Sequence, residues 1–348
     1  MNHAPGQWAI TLLATSLRSL GWIKRARSAR ESTIALQIAA CLALTLLTPL
    51  WAQAQTKPSF LTTPSFPTPL AHKAPLLAAA VAGDRLVAAG DFGTVLLSDD
   101  AGKTWRQAKT PTRATLSALF FLDAKRGWAA GHGGVLIATR DGGESWTQLA
   151  NLGANTVPFA LRFSADERGW VVGAFGYAAS SPDGGKSWQT LRVSTGEFAD
   201  QHLYAMFSGP GQRLWITAEG GSLYFSDDAG ASFRALALPY KGSIWGGLAL
   251  DDHTILVWGM RGKLLKSIDG GKTWNEVASG TDQALTAGVL RGREVVLAGL
   301  GGAITRSSDG GNTFQATTRP ARQAHSALLE AKGALLTFTL AGIGGAIE

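Results

Sequence analysis

The chain has 348 residues, a hydrophobic fraction of 45 % and 16 % charged residues, which excludes a charged disordered tail or a coiled coil as its main character. Its 43 glycines follow no three-residue period, so collagen is excluded, and a single cysteine, Cys41, builds neither a disulfide framework nor a cysteine metal site. The net charge of +7 divides into +4 over residues 1–54 (Arg18, Lys24, Arg25, Arg27 and Arg30 against Glu31) and +3 over the rest, a balance that does not call for nucleic acid.

The N-terminus reads as an export signal. Lys24-Arg25-Ala26-Arg27 and Arg30 form a basic region, and Ile34 to Leu47 is an uncharged, largely apolar run that Pro49 breaks. Ala52-Gln53-Ala54 then places small residues where a signal peptidase needs them. The run is short for a membrane span, so cleavage after Ala54 is expected, with an uncleaved anchor as the alternative. Ile38-Ala39-Ala40-Cys41 is similar to a lipoprotein box, but the apolar run continues past Cys41, which does not suit a chain that starts there. In each version the bulk of the protein is exported, to the periplasm. Residues 55–73, rich in Pro, Thr and Ser, read as an extended lead-in.

Six copies of S/T-x-D-x-G-x-S/T-W/F follow, starting at Ser98, Thr139, Ser181, Ser226, Ser267 and Ser307. Their aspartates are Asp100, Asp141, Asp183, Asp228, Asp269 and Asp309, and their aromatics Trp105, Trp146, Trp188, Phe233, Trp274 and Phe314. A second element, G-x-x-G before a short apolar strand, precedes each copy at Gly90/Gly93, Gly131/Gly134, Gly173/Gly176, Ala218/Gly221, Gly259/Gly262 and Gly299/Gly302. A seventh pair is read at Gly342/Gly345.

A period of about 40 residues with four short strands per unit predicts an all-β fold, a seven-bladed β-propeller of four-stranded antiparallel blades over 74–348. In the second unit the strands are expected at Leu116–Phe121, Gly127–Ala130, Val135–Thr139 and Trp146–Leu149. The seventh unit lacks an outer strand, and residues 57–70 are expected to supply it and lock the ring, their prolines suiting an outermost strand. Each aspartate is expected to accept hydrogen bonds from its own turn. Each turn has one carboxylate and no second hard ligand at fixed spacing, so a calcium role is disfavoured and no metal or cofactor is expected.

In such a blade the G-x-x-G turns and the inter-blade links share one face, opposite the aspartate turns. That face is the candidate binding surface. Its turns carry Asp91, Phe92, His132, Phe175, Glu219, Met260 and Arg261. Its links carry Lys109, Arg113, Glu197, Asp200, His202, Tyr240, Lys241, Arg319, Arg322 and His325. Of these, Arg113, His132, Glu219, Tyr240, Lys241, Arg261, Arg319 and Arg322 are the candidate partner-binding residues. His132, His202 and His325 share the face, but their blades need not be adjacent, which argues against a metal centre.

The phrase Gly127-Trp128-Ala129-Ala130-Gly131-His132-Gly133-Gly134, its copy Gly169-Trp170-Val171-Val172-Gly173-Ala174-Phe175-Gly176, and Asp141-Gly142-Gly143-Glu144-Ser145-Trp146 together resemble the photosystem II assembly and stability factor family. The resemblance covers about residues 74 to 348. It implies a non-enzymatic seven-bladed propeller of the thylakoid lumen or of bacterial envelopes, docking on a membrane-protein client through surface arginines. In a non-photosynthetic source the client would belong to an envelope complex. The alternatives are a sialidase-like glycoside hydrolase and a carbohydrate-binding or adhesion module. Sialidases share the aspartate motif, but their Arg-Ile-Pro segment is missing here, and Tyr240 is the only tyrosine that this register places on the binding face.

Overall fold

In the computed structural model, which describes residues 59–347, the repeats fold into seven antiparallel sheets. Blade 1 has strands Leu76–Ala82, Arg85–Gly90, Val95–Ser98 and Arg106–Ala108. Blade 2 has Leu116–Phe121, Gly127–Gly131, Val135–Thr139 and Thr147–Asn151, each bound within two residues of the span read from the sequence. Blades 3 to 6 repeat the order, and blade 7 has His325–Ala331, Ala334–Thr339 and Gly342–Ile347. The first strands of successive blades touch one another, and that of blade 7 touches that of blade 1, so the ring is closed. The signal-peptide reading of residues 1–54 lies outside the described residues.

The second strands are buried along their length because both of their faces meet neighbouring blades. Tryptophans fill the seams. Trp128 of blade 2 stacks on Phe163 of blade 3 (3.9 Å, 13°) and donates from Nε1 to the Gly184 carbonyl in the next aspartate turn (2.9 Å). Trp170 does the same to Gly230 of blade 4 (3.2 Å). The motif aromatics Trp105, Trp146, Trp188, Phe233, Trp274 and Phe314 pack into the seam with the preceding blade.

The aspartate turn is self-contained. In all six, the leading Ser or Thr hydroxyl donates to Oδ1 of the aspartate at 2.7–2.9 Å. The same Oδ1 accepts the backbone N–H of the Ser or Thr four residues on, at 2.9–3.0 Å. That residue's hydroxyl donates to Oδ2. These bonds favour the ionised form, and the hydroxyls of Thr104, Ser187 and Ser232 are the main reason that Asp100, Asp183 and Asp228 are held down to about 2. The stabilisation is therefore present above the ordinary carboxylate range and is lost as pH falls through about 2. Asp183→Ala is expected to lower the thermal midpoint by several degrees at pH 7 and to lose that difference below pH 2; equal midpoints at pH 7 would contradict it.

The closure differs from expectation. Residues 59–70 form no strand beside blade 7. They run instead along the outer edge of blade 1, where Ser65 N–H donates to the Thr110 carbonyl (3.0 Å), Thr68 N–H to Gln107 (3.0 Å) and Arg113 N–H to the Phe60 carbonyl (2.7 Å). Pro64, Pro67 and Pro69 leave too few donors for a ladder, whereas scattered bonds to a link tolerate them. Blade 7 is thus three-stranded among the described residues. The two ends still meet: the short turn Ala71–Lys73 abuts the last strand.

The seventh turn also shifts. His325 pairs with Thr339, as Leu76 pairs with Gly90 and Leu116 with Gly131, so the turn is Thr339–Gly342 rather than Gly342/Gly345. Gly342 occupies the place of Gly93, Gly176, Gly221 and Gly262. A Cβ on any of those four would lie 1.8–1.9 Å from a carbonyl oxygen of the link entering the next blade, and on Gly342 it would lie 2.0 Å from the His72 carbonyl oxygen. The link touched by blade 7 is the one that enters blade 1.

Candidate functional site

The G-x-x-G turns and the links meet on one face through those glycine contacts. In blades 1 to 6 the turn holds a left-handed residue at its third position. Blades 2, 4 and 6 place Gly133, Gly220 and Gly301 there, but blades 1, 3 and 5 place Phe92 (φ 57°), Phe175 (φ 54°) and Arg261 (φ 55°). A side chain in that conformation carries backbone strain, which a glycine would remove. Phe92 and Phe175 are 69 % and 73 % exposed, so packing does not account for either.

The two faces of the ring differ in how they treat charge. On the aspartate face Arg85 and Arg106 pair with Asp99 and Glu144, Arg126 and Arg140 with Glu167, Arg213 with Asp252, and Arg291 and Arg306 with Glu294. On the opposite face the one ion pair among the described residues is Lys263–Glu276 (2.5 Å). Arg113 is exposed and donates from Nε to the Pro64 carbonyl (2.9 Å), and Arg319 donates to the Ala346 carbonyl (3.1 Å). Arg261 and Arg322 are exposed, and Arg322 is also left-handed (φ 47°). Lys241 is exposed beside Tyr240, whose ring lies 5.3 Å from Lys263 Nζ; both line a groove of about 440 Å³ between the blade 3–4 link and the edge of blade 4. His132 is exposed on its turn.

Apolar exposure follows the same division. Phe92, Phe175, Phe198, Met260, Leu300 and Leu340 stand exposed on the G-x-x-G face, against Ile268 on the aspartate face. A concentration of exposed apolar side chains with unpaired cations on one face marks an interaction surface.

The sequence reading missed one feature of this face. Every blade bulges at the second residue of its first strand: Leu77, Ser117, Phe159, Tyr204, Trp245, Thr286 and Ser326. In blades 2, 6 and 7 the hydroxyl there donates to a carbonyl of the next blade, those of Pro158, His325 and Leu76, at 2.5–2.6 Å. In the adjacent blades 3, 4 and 5 the position is aromatic. Tyr204 packs on Phe159 (5.9 Å) and Trp245 (6.4 Å), and His202 joins Phe159, Tyr204 and Phe175. The Phe175 N–H donates to His202 Nδ1 (3.0 Å), and the His202 N–H donates to Glu219 (3.3 Å). Tyr204 therefore belongs to the binding face, as does Tyr177, whose hydroxyl donates to the Leu152 carbonyl in a link (3.2 Å); the assignment of Tyr240 as the only tyrosine there is corrected.

The three histidines are not brought together. His132 is exposed on blade 2, His202 sits in the aromatic run, and His325 is buried (3 % exposed) at the start of blade 7, with neither ring nitrogen hydrogen-bonded. Burial, and then the charge of Arg319, lower its pKa to about 4.

The family model described as "Photosynthesis system II assembly factor YCF48" matches residues 97–195 and 143–243. A curated relative, the photosystem II assembly lipoprotein Ycf48 of Synechocystis sp., is 38 % identical over 80 residues, 22 % of this chain and 23 % of its own length, so the match spans about a quarter of that relative. Among solved structures, "YCF48 bound to D1 peptide" superposes with a TM-score of 0.66 at 18 % identity, covering 80 % of this chain and 94 % of the other. A streptogramin B lyase also superposes with a TM-score of 0.66, at 14 % identity and with the same two coverages. At such identities the structural likeness is one of fold, and a ring alone does not separate scaffold from enzyme. The sequence match is the more specific finding: over residues 97–243, less than half of the chain, the repeats of this seven-bladed propeller are similar to those of the photosystem II assembly factor family.

Proposed function

We propose that this chain is an exported, non-enzymatic assembly factor that holds a protein client, a segment of a membrane-protein subunit, on its G-x-x-G face. The observation that carries the reading is the asymmetry of the ring: one face neutralises its own charges, and the other presents Arg113, Arg261, Arg319 and Arg322 without an ion pair among the described residues, together with exposed apolar side chains. The relatives support it, since one is named for photosystem II assembly and a YCF48 structure carries a D1 peptide. In a photosynthetic source the client would be a reaction-centre subunit in the thylakoid lumen, and otherwise a subunit of a periplasm-facing envelope complex.

Arginines holding a client through charge-assisted bonds make capture salt-sensitive. Arg261→Glu combined with Arg322→Glu is expected to reduce crosslinked client from the native membrane roughly tenfold, and raised salt to mimic the loss. Capture unchanged by the double reversal would overturn the face assignment. A sialidase-like mechanism would ask a tyrosine to act as nucleophile. Tyr204, the tyrosine at the ring mouth, has its pKa raised by burial and by the Glu219 charge, with Ser243 as a hydrogen-bond partner acting the other way, so its phenol stays protonated. Hydrolysis of a fluorogenic sialoside would overturn the scaffold reading.

A further inference from the structure

We propose that the mouth of the ring over blades 3 to 5 is a receptor for a cationic side chain of the client, arginine above all. The inference rests on the client-binding reading and deepens it. The turns and links of the face offer cations, which select acid, and Arg192, Lys241 and Arg261 bring them into this sector too; the aromatic run with Glu219 offers the reverse.

Phe159, Tyr204 and Trp245 occupy one equivalent position on three neighbouring blades, all half-buried, with Trp245 Nε1 buried and without a hydrogen-bond partner among the described residues. His202 and the exposed Phe175 extend the run outward. Phe175 is kept in a left-handed conformation that glycine fills in blades 2, 4 and 6, and its backbone is tied to His202. Beside the run stands Glu219. Its carboxylate accepts one backbone N–H, has no cationic partner among the described residues, and lies near enough to Tyr204 for its charge to act on the phenol. The link that leads to it carries exposed Glu197 and Asp200 together with exposed Arg192.

Aromatic faces beside an unpaired carboxylate attract a cation twice, through the ring quadrupoles and through charge pairing. A guanidinium suits this best, being planar, weakly hydrated and able to stack while its edge donates to a carboxylate. An aliphatic client side chain would use the rings and leave Glu219 desolvated without a partner, and an acidic one would be repelled by it. Across the mouth stand Arg319 and Arg322, on the link entering blade 7, and Arg113, on the link entering blade 2. One extended segment with an arginine seated on the aromatic run and acid beyond it satisfies both Glu219 and the arginines of the turns and links.

The test uses the full chain and four acetylated, amidated octapeptides of alanine and glycine that differ only at one central residue, Arg, Lys, Gln or Glu. Binding is read by calorimetry and by tryptophan fluorescence. The arginine peptide is expected to bind roughly tenfold tighter than the glutamine peptide and the glutamate peptide more weakly still. Glu219→Gln, which keeps size and hydrogen bonding, should remove most of that preference, and Trp245→Leu should weaken the arginine peptide further, with thermal melts showing both variants folded. Arg261→Glu should leave the arginine preference in place. Equal binding of the arginine and glutamine peptides overturns the proposal, as does an arginine preference that survives Glu219→Gln, or no saturable binding of the arginine peptide at millimolar concentration. Loss of capture in the arginine double reversal together with no peptide discrimination would leave the client-binding reading standing and sink this inference alone.

Discussion

His325→Leu is expected to make the protein more stable, and increasingly so as the pH falls. The first strands of five other blades begin with Leu76, Leu116, Leu203, Ile244 and Leu285, all fully buried, and that of blade 3 with buried Pro158; His325 takes the same place with two unpartnered ring nitrogens. Above the ordinary histidine range neither the folded nor the unfolded state binds a proton there, and the only cost is the desolvated imidazole, about 1–3 kcal/mol for a buried polar group without a partner. Below that range the unfolded chain binds a proton and the folded chain resists until about pH 4, so stability is lost through this window. The full difference is about 3 kcal/mol, most of it developed by pH 4.5. The aspartate turns contribute equally to both proteins and cancel in the comparison. Denaturant unfolding of the wild type and His325→Leu at pH 7.5 and pH 4.5 measures the effect, and two stability differences of equal size would refute it.

What the sequence disclosed was what the fold repeats. The aspartate turn is written in consecutive residues, Ser181 through Trp188 for example, and all of its bonds are local, so a motif suffices to recover them. The strands of blade 2 follow from alternation bounded by turns, and eight of the nine tryptophans after residue 54 fall either in the aspartate motif or just before the G-x-x-G turn. The parts that escaped lie where the repeat breaks. In blade 7 Thr339 stands where most blades have glycine, and Gly342 and Gly345 form a decoy pair, so the turn was displaced by three residues. The lead-in has no repeat to align with, and its place on blade 1 depends on Thr110 and Arg113, far along the chain.

The aromatic run escaped for another reason: its members belong to three repeats, and their positions are visible only when the repeats are stacked. A signal for it existed. Trp245 is the one tryptophan after residue 54 outside both the aspartate motif and the stretch just before a G-x-x-G turn, and stepping back by the motif spacings of 41 and 45 residues lands on Tyr204 and then Phe159. Residues that break the rule of a repeat at the same position in neighbouring units are where function departs from scaffold.

Gly342→Ala is expected to cost about 3 kcal/mol, at the upper end of what backbone strain alone produces. Two effects combine there. The backbone φ of 103° is one that an L side chain rarely adopts, and the added methyl would sit 2.0 Å from the His72 carbonyl oxygen and 2.7 Å from Lys73 Cα. The link must move away, and that link is the one between blade 7 and blade 1. No complete fourth strand covers the last blade among the described residues, so this contact, the Ser326 hydroxyl on the Leu76 carbonyl, and the packing of Trp105 against Phe338 hold the ends of the ring together. Gly333→Ala separates the two effects: φ there is 81°, and nothing lies within 4 Å of the new Cβ, so it carries strain without collision and should cost about 1 kcal/mol. Hydrogen exchange should show Gly342→Ala deprotecting the strands of blades 1 and 7 ahead of the others, because an open ring frays at its two ends. If Gly342→Ala proves no more destabilising than Gly333→Ala, or if the added exchange spreads evenly over all seven blades, then the ring is not clasped at His72.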